Sequence, residues 1–175
     1  MKKTLLIVVI LSFLTLTINA QEGKIHVGGQ VGLSLPMGDF GDAANMGFGF
    51  LGNFYYGINQ NIDLTASLGY IAWGTDADGA SFSNIPIVVG GRYYFQRSNF
   101  TPFLAAELGI NNLSFTYDSE YFGEYSATSS DFGLGIGGGF LYALGNMDLD
   151  VSAKINIISD TNNLTVFAGL RFPIN

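Results

Sequence analysis

The strictest constraint on the fold is a period of two in the distribution of apolar side chains. In residues 147–157 every second residue is apolar, from Met147 to Ile157, and the residues between them include Asp148 and Lys154. Successive side chains of a β-strand point to opposite faces. The alternation therefore predicts a strand with one apolar and one polar face.

The same alternation recurs along the chain and predicts eight strands, separated by clusters of Gly, Asn, Asp and Pro. Most are at least as long as the roughly 9–11 residues that a tilted strand needs to cross a bilayer. The predicted strands span residues 24–35, 46–57, 61–73, 84–96, 101–115, 129–143, 147–157 and 163–173.

The content of the two faces indicates which of them is inside. A soluble barrel such as a lipocalin would turn its apolar face inward and its polar face to water. Here the polar face is rich in glycine, which weakens a water-facing strand but suits the narrow interior of an eight-stranded barrel. Charged residues make up only 12% of the chain, against about 25–35% of a soluble surface. We therefore predict the all-β class, an eight-stranded antiparallel up-and-down transmembrane β-barrel whose apolar face contacts outer-membrane lipid.

The N-terminus has the features of a secretory signal peptide. Lys2 and Lys3 precede an apolar run from Thr4 to Ile18, and Ala20 offers a small residue at the cleavage point. The run is shorter than the ~20 residues of a spanning helix. We predict a cleavable signal peptide over residues 1–20 and a barrel domain over residues 21–175.

The connections between the predicted strands alternate in length. Outer-membrane barrels have long extracellular loops and short periplasmic turns, so the pattern predicts that both termini are periplasmic. The long connections are residues 36–45, 74–83 and 116–128, and the short ones are 58–60, 97–100 and 144–146.

Aromatic side chains concentrate near the strand ends that share the predicted periplasmic boundary. Tyr, Trp and Phe are enriched at membrane interfaces because a ring can have one apolar and one wet end. The residues concerned are Phe54, Tyr56, Tyr93, Phe95, Tyr142 and Phe172.

Several motifs carry a family resemblance across residues 21–175. They are Gly32-Leu-Ser-Leu-Pro36-Met-Gly38-Asp-Phe40, Gly47-Phe-Gly49-Phe, Leu68-Gly-Tyr70, and Ile85-Pro86-Ile with Arg92-Tyr93-Tyr94-Phe95. This set resembles the small outer-membrane β-barrel family that includes outer-membrane protein X and the transmembrane domain of outer-membrane protein A. The resemblance implies assembly by the barrel-insertion machinery, which often reads a terminal aromatic residue; here Phe172 precedes the final Pro-Ile-Asn.

Eight charged residues fall on the glycine-bearing face: Asp63, Arg92, Glu107, Asp131, Asp148, Asp150, Lys154 and Arg171. Buried charges persist when they are paired, so we predict a structural ion-pair plug in the lumen. Its predicted members are Arg92, Glu107, Asp150, Lys154 and Arg171. The hairpin registers predict that Asp150 lies opposite Arg171 and that Arg92 lies diagonally from Glu107. The alternatives are charges satisfied by lumen water and a gated conduction path.

The sequence predicts no catalytic residue, cofactor or metal site. Gly133-x-Gly135-x-x-Gly138 has the spacing of a dinucleotide fingerprint but lacks the helix that must follow it. His26 is the only histidine, and we interpret it as a structural lumen residue. The formal net charge of −7 excludes a basic nucleic-acid footprint.

Three classes of function remain open from the sequence. The first is a structural or surface-interaction protein that displays its long loops to an extracellular ligand. Its candidate loop contacts are Tyr117, Tyr121, Phe122 and Tyr125. The alternatives are a narrow porin for very small solutes or ions, and an outer-membrane enzyme that uses His26.

Overall fold

The computed structural model describes residues 23–77, 79–119, 123–159 and 161–174. Eight strands form a closed antiparallel barrel in which each strand pairs with its neighbours in sequence and β8 closes on β1. The predicted fold class is confirmed. The elements are β1 (Ile25–Pro36), α1 (Asp39–Ala43), β2 (Gly47–Gly57), β3 (Ile62–Gly74), β4 (Ala80–Tyr94), β5 (Phe100–Ser119), β6 (Gly123–Ala143), β7 (Asp148–Ile158) and β8 (Asn163–Ile174).

The barrel has two different ends. The start of β1, the end of β8 and three connections of four or five residues lie at one end, which we call the turn end. The short helix α1 and the other connections lie at the opposite end, which we call the loop end. The predicted signal peptide lies outside the described residues. Within those residues, no helix is long and apolar enough to cross a bilayer.

The two faces of the wall have the predicted orientation. Val31, Phe48 and Ile136 are 67%, 71% and 62% exposed on the outer surface, whereas Gln30 and Thr165 are 3% and 2% exposed in the interior. The exposed residues are large and apolar, as a surface in contact with lipid requires. The six aromatic residues predicted near one boundary all lie on the outer surface towards the turn end.

Most of the predicted loop 116–128 and half of the predicted loop 74–83 are strand, and this part of the prediction is wrong. Only residues 75–79 separate β3 from β4, and only residues 120–122 separate β5 from β6. The predicted loop 36–45 contains the helix α1. The sequence pattern missed these strand extensions because their outward residues are hydroxylic rather than apolar, so no apolar alternation marks them.

The strand extensions form what we call the projecting sheet, composed of residues 80–85, 112–119 and 123–130. The β4–β5 and β5–β6 registers of this sheet both continue to the turn end without a bulge. The last pair between β6 and β7 is Gly133 with Ile158. The projecting sheet therefore rises above the β7 side of the barrel rim.

Candidate functional site

The turn half of the interior holds a network of arginine, aspartate and tyrosine side chains. Arg92 Nη1 lies 2.6 Å from Asp150 Oδ2, and the Tyr55 hydroxyl donates to the same oxygen over 2.8 Å. Arg171 Nη1 donates to the Tyr94 hydroxyl over 2.7 Å. The Arg92 guanidinium also lies over the Tyr55 ring, 4.8 Å from its centroid, a cation–π contact that strengthens as water is excluded.

Asp63 is the second acceptor of this network. Its carboxylate accepts from the Tyr94 hydroxyl over 2.9 Å and pairs with Arg171 at 3.2 Å and with Arg97 at 2.6 Å. Asp148 lies 3.8 Å from Arg171 at the turn-end margin. Three arginines thus face three aspartates, and the formal charges of the network balance.

The predicted partners of two charged residues are wrong. Asp148, not Asp150, lies opposite Arg171, so the β7–β8 hairpin is shifted by two residues from the predicted register. Arg92 does lie opposite Ala105 as predicted, but it pairs with Asp150 rather than with Glu107. The Arg92 side chain points towards the barrel axis, so it reaches Asp150 on β7, three strands away, and not a residue of the adjacent β5.

Glu107 and Lys154 form a separate ion pair nearer the loop end. Lys154 Nζ lies 2.7 and 2.8 Å from the two carboxylate oxygens. Glycines in β6 provide the space: a Cβ on Gly135 would lie 2.7 Å from Glu107 Cγ, and one on Gly137 would collide with Lys154. The structure therefore places all five predicted plug residues in the interior, in two clusters.

Amide side chains and an aromatic cap fill the rest of the lumen. Asn84 donates to Asn111 over 2.9 Å above the Lys154–Glu107 pair. At the loop end Phe40 of α1 packs edge-on against Trp73 and Phe82, with ring centroids 5.3 and 5.5 Å apart. The space left below this cap is about 30 Å³, enough for about two water molecules.

His26 lies at the turn end, where it lines an open cavity with Ser98 and Asp148. Among the described residues, no hydroxyl or carboxylate is hydrogen-bonded to its ring, and Nδ1 is buried without a partner. The hydroxyl of Ser98 donates instead to the Phe100 carbonyl over 2.7 Å. A nucleophile activated by a neighbouring base requires hydrogen-bond contact between the two, and this arrangement lacks it.

The projecting sheet ends in an open edge along β6. The Ala143 N–H donates to Asn99 on the β5 side, and backbone groups alternate in direction along a strand. Even-numbered residues of β6 therefore direct their N–H and C=O groups away from β5. Above the last β6–β7 pair these are the exposed residues Ser126, Thr128 and Ser130.

Two of the candidate loop contacts lie on this sheet. Tyr117 and Tyr125 are directly opposite each other in the β5–β6 ladder and are 42% and 65% exposed. They share the inward face with Phe115, whose ring centroid is 5.0 Å from that of Phe82. Tyr121 and Phe122 lie outside the described residues.

Comparison with known proteins identifies the chain's relatives. The family model described as the outer membrane protein beta-barrel domain matches residues 5–172. The chain belongs to this family. Its place is therefore the outer membrane, and its apolar outer surface is the lipid-facing surface of an outer-membrane barrel. No curated protein matches the sequence.

Solved structures share the fold of this outer-membrane barrel. Ail, the attachment invasion locus protein of Yersinia pestis, is 16% identical with a TM-score of 0.67, over 88% of this chain and 100% of Ail. Neisserial surface protein A is 23% identical with a TM-score of 0.67, over 86% of this chain and 99% of its own. Ail has also been solved in complex with the heparin analogue sucrose octasulfate, at 17% identity, a TM-score of 0.64 and coverage of 88% and 100%.

Sequence reasoning missed three functional features of this barrel: the aromatic cap, Arg97 as a partner of Asp63, and the open edge of β6. The cap residue Phe40 follows Gly38, which has a positive φ of 63°, but a helix of five residues leaves no periodic signal. The edge was hidden because Ser126, Thr128 and Ser130 resemble loop residues in composition. The available signal that the strands continue beyond the lipid was the alternation of Phe115, Tyr117 and Tyr125 with hydroxyl residues.

Proposed function

We propose that this protein is a non-enzymatic binding barrel of the outer membrane that captures extended peptide segments on the open edge of β6. In this proposal the loop end faces the exterior and both termini face the periplasm. The grouping of the termini with three short turns at one end supports this orientation, since outer-membrane barrels place short turns on the periplasmic side.

The open edge is the observation that carries the proposal. Among the described residues, Ser126, Thr128 and Ser130 have no ladder partner for the N–H and C=O groups that face away from β5, and all three side chains are exposed. Unpaired strand edges pair readily with another chain, and soluble proteins usually block them with Lys, Pro or a bulge. Residues 125–130 contain no Lys or Pro, and the register has no bulge.

The two faces of the projecting sheet favour a particular kind of segment. The inward face carries Phe115, Tyr117 and Tyr125, and the outward face carries hydroxyl groups. A strand added beside β6 places alternate side chains on each face. The expected ligand is therefore a segment with alternating apolar and polar residues. Ail, which shares the fold, has been solved with an added ligand, so ligand binding is compatible with this scaffold.

The packed interior favours this role over a narrow porin. Arg92 with Asp150 crosses the lumen, Lys154 with Glu107 fills the space in front of β6, and the Phe40 cap covers the loop end. The cavity below the cap, about 30 Å³, holds about two water molecules. We propose that the five charged residues act as a structural plug, and that His26, which lacks a hydrogen-bonded nucleophile, is structural.

Selection of peptides on the refolded protein tests the proposed function. Eight-residue sequences of alternating apolar and polar residues would be displayed on phage, and the selected peptides measured on Thr128→Pro and on the matched control Thr128→Val. Proline removes the edge N–H without touching the β5 ladder, a position where proline is tolerated.

We expect Thr128→Pro to weaken binding about tenfold or more, because it removes one hydrogen bond and obstructs its neighbours. Thr128→Val keeps the N–H and should bind as the parent does. Equal binding by both variants would show that the edge is not the binding site.

A further inference from the structure

The outward face of the projecting sheet carries an ordered array of hydroxyl and amide groups. In the ladder, Ser81, Thr116 and Ser126 form one row across the three strands, and Ser83, Ser114 and Thr128 form the next. A third row pairs Asn112 with Ser130. Successive rows are two residues apart along each strand, which corresponds to roughly 6.6–6.8 Å. The hydroxyl and amide groups therefore form a regularly spaced array.

This hydroxyl face continues the lipid-facing surface of the same strands. Directly below the Asn112–Ser130 row lies the pair of Ile110 and Phe132, which are 52% and 61% exposed. On β5 and β6 the outward side chains thus change from large and apolar to polar within one step of the ladder, and on β4 the exposed Ile85 beside Asn112 is the last apolar one. The change marks the level at which the acyl chains end, and the hydroxyl face stands beside the head groups of the same lipids.

The chemistry of the face differs from that of an ordinary water-facing strand. The eight hydrogen-bonding residues of these three rows are uncharged, although the chain has fourteen acidic residues and seven basic ones; the next row towards the loop end contains the exposed Asp118. Neighbouring groups already bond to each other: Ser114 and Thr128 oxygens are 3.0 Å apart, and Ser130 donates to Asn112 over 2.7 Å. Hydroxyl groups donate and accept at once, which matches the hydrogen-bonding character of sugar hydroxyls.

We propose that the hydroxyl face binds the saccharide part of the glycolipid in the outer leaflet. Since this face is continuous with the lipid interface, the sugar attached to an adjacent lipid is held against it at high effective concentration. The inference rests on the orientation given under the proposed function, with the loop end outside.

Heat unfolding in defined vesicles tests the assignment. The refolded full chain would be placed in phospholipid vesicles that contain either a rough lipopolysaccharide with its core saccharide or the lipid A part alone. The test variant is Ser83→Val with Ser114→Val, a directly opposite pair on β4 and β5 that leaves the β6 edge intact. The control is Ser129→Ala, on the opposite face of the same sheet.

We expect the core saccharide to raise the unfolding midpoint of the parent and of Ser129→Ala relative to lipid A, and the rise to be lost in the double variant. An equal midpoint in both vesicles, or a full rise in the double variant, would overturn the proposal. If the double variant fails to refold, Ser83→Ala with Ser114→Ala replaces it. A cross-linked dimer whose yield is independent of saccharide would assign the face to a second copy and likewise overturn it.

The orientation is tested separately in cells. Ser126→Cys should react with a membrane-impermeant maleimide on intact cells. A cysteine that reacts only after lysis would refute the orientation, and with it the proposed function, irrespective of the vesicle result. A failed orientation would sink both proposals. Peptide binding by Thr128→Pro reports on the edge alone and the vesicle midpoints report on the hydroxyl face alone, so with the orientation established each proposal can fail without the other.

Discussion

Asp150 is the most deeply enclosed carboxylate in the turn half of the lumen. It is 0% exposed and receives both the Arg92 guanidinium and the Tyr55 hydroxyl. Asp148, two residues away on the same strand, is 3.8 Å from Arg171 and its side chain is 30% exposed. The two aspartates therefore allow a controlled comparison. They share the residue type and the strand, and they differ in burial and in the closeness of the arginine that each contacts.

We expect Asp150→Ala to lower the free energy of unfolding by about 3–5 kcal/mol, because it leaves Arg92 buried without its counter-ion. Asp148→Ala should cost less than about 1 kcal/mol, as exposed ion pairs do. Urea unfolding in vesicles measures both. Equal losses for the two variants would mean that the Arg92–Asp150 contact contributes no more than a surface pair.

The sequence predicts which face of the barrel wall each strand residue lies on, but it does not predict which interior residues contact each other. The period of two places Arg92, Glu107 and Asp150 on the interior side of the wall, where the structure has them. Partner choice depends on which strands stand across the lumen from each other, a consequence of closing the barrel. Local pairing rules reach only adjacent strands, and for this reason the pair of Arg92 with Glu107 was predicted wrongly. The pair of Asp150 with Arg171 was wrong because the β7–β8 register is shifted by two residues.

At the scale of elements, α1 caps the loop end of the barrel, and the fluorescence of one tryptophan can report whether this cap excludes water. Trp73 is the only tryptophan of the chain, is 2% exposed, and packs against Phe40. We expect Phe40→Ala to shift the tryptophan emission to longer wavelength and to increase its quenching by acrylamide, because water reaches the indole. Phe48→Ala, on the lipid-facing side, should leave both unchanged; an unaltered spectrum in Phe40→Ala would show that the cap does not shield Trp73.

The projecting sheet was not predicted from the sequence. An engineered disulfide between β5 and β6 tests its register. Thr116 lies directly opposite Ser126, with backbone groups facing away from the shared ladder. Such pairs have Cα atoms about 4.5 Å apart, within the range that a disulfide spans. The chain has no cysteine, so Thr116→Cys with Ser126→Cys introduces one defined bridge.

We expect that double variant to oxidise fully in vesicles, whereas Thr116→Cys with Thr128→Cys, displaced by two residues, should remain largely reduced. Thiol titration measures both. Similar oxidation of the two would indicate a mobile loop over residues 116–128, as the sequence suggests, instead of a sheet.

At the scale of the whole molecule, β6 has two parts: a lower part that contacts lipid and an upper part that extends beyond the lipid. Ile136 and Ser130 both point outward and are exposed, but only Ile136 lies below the apolar boundary at Phe132. Arginine on the lipid face costs about 2–4 kcal/mol at the bilayer midplane and much less near the interfaces. We expect Ile136→Arg to reduce the inserted fraction strongly and Ser130→Arg to leave it unchanged.

Migration in SDS gels before and after boiling measures the inserted fraction, because a closed barrel has no free edge within the membrane and resists unfolding. A parent protein whose migration does not change on boiling would contradict a stable barrel. Equal insertion of the two arginine variants would place the boundary elsewhere.

The cross-lumen ion pairs also determine the order in which the barrel can assemble. Arg92 and Asp150 are 58 residues apart in sequence, and Lys154 and Glu107 are 47 apart. Contacts between distant residues form late, because the chain entropy of closing the loop must be overcome first. The Arg92–Asp150 bond joins β4 to β7 and forms only after these walls have met, whereas the Lys154–Glu107 bond spans β6 and forms once β5, β6 and β7 have paired. Both bonds therefore contribute little to the folding transition state and act mainly on the unfolding rate. We expect them to slow the unfolding of a completed barrel more than they speed its assembly.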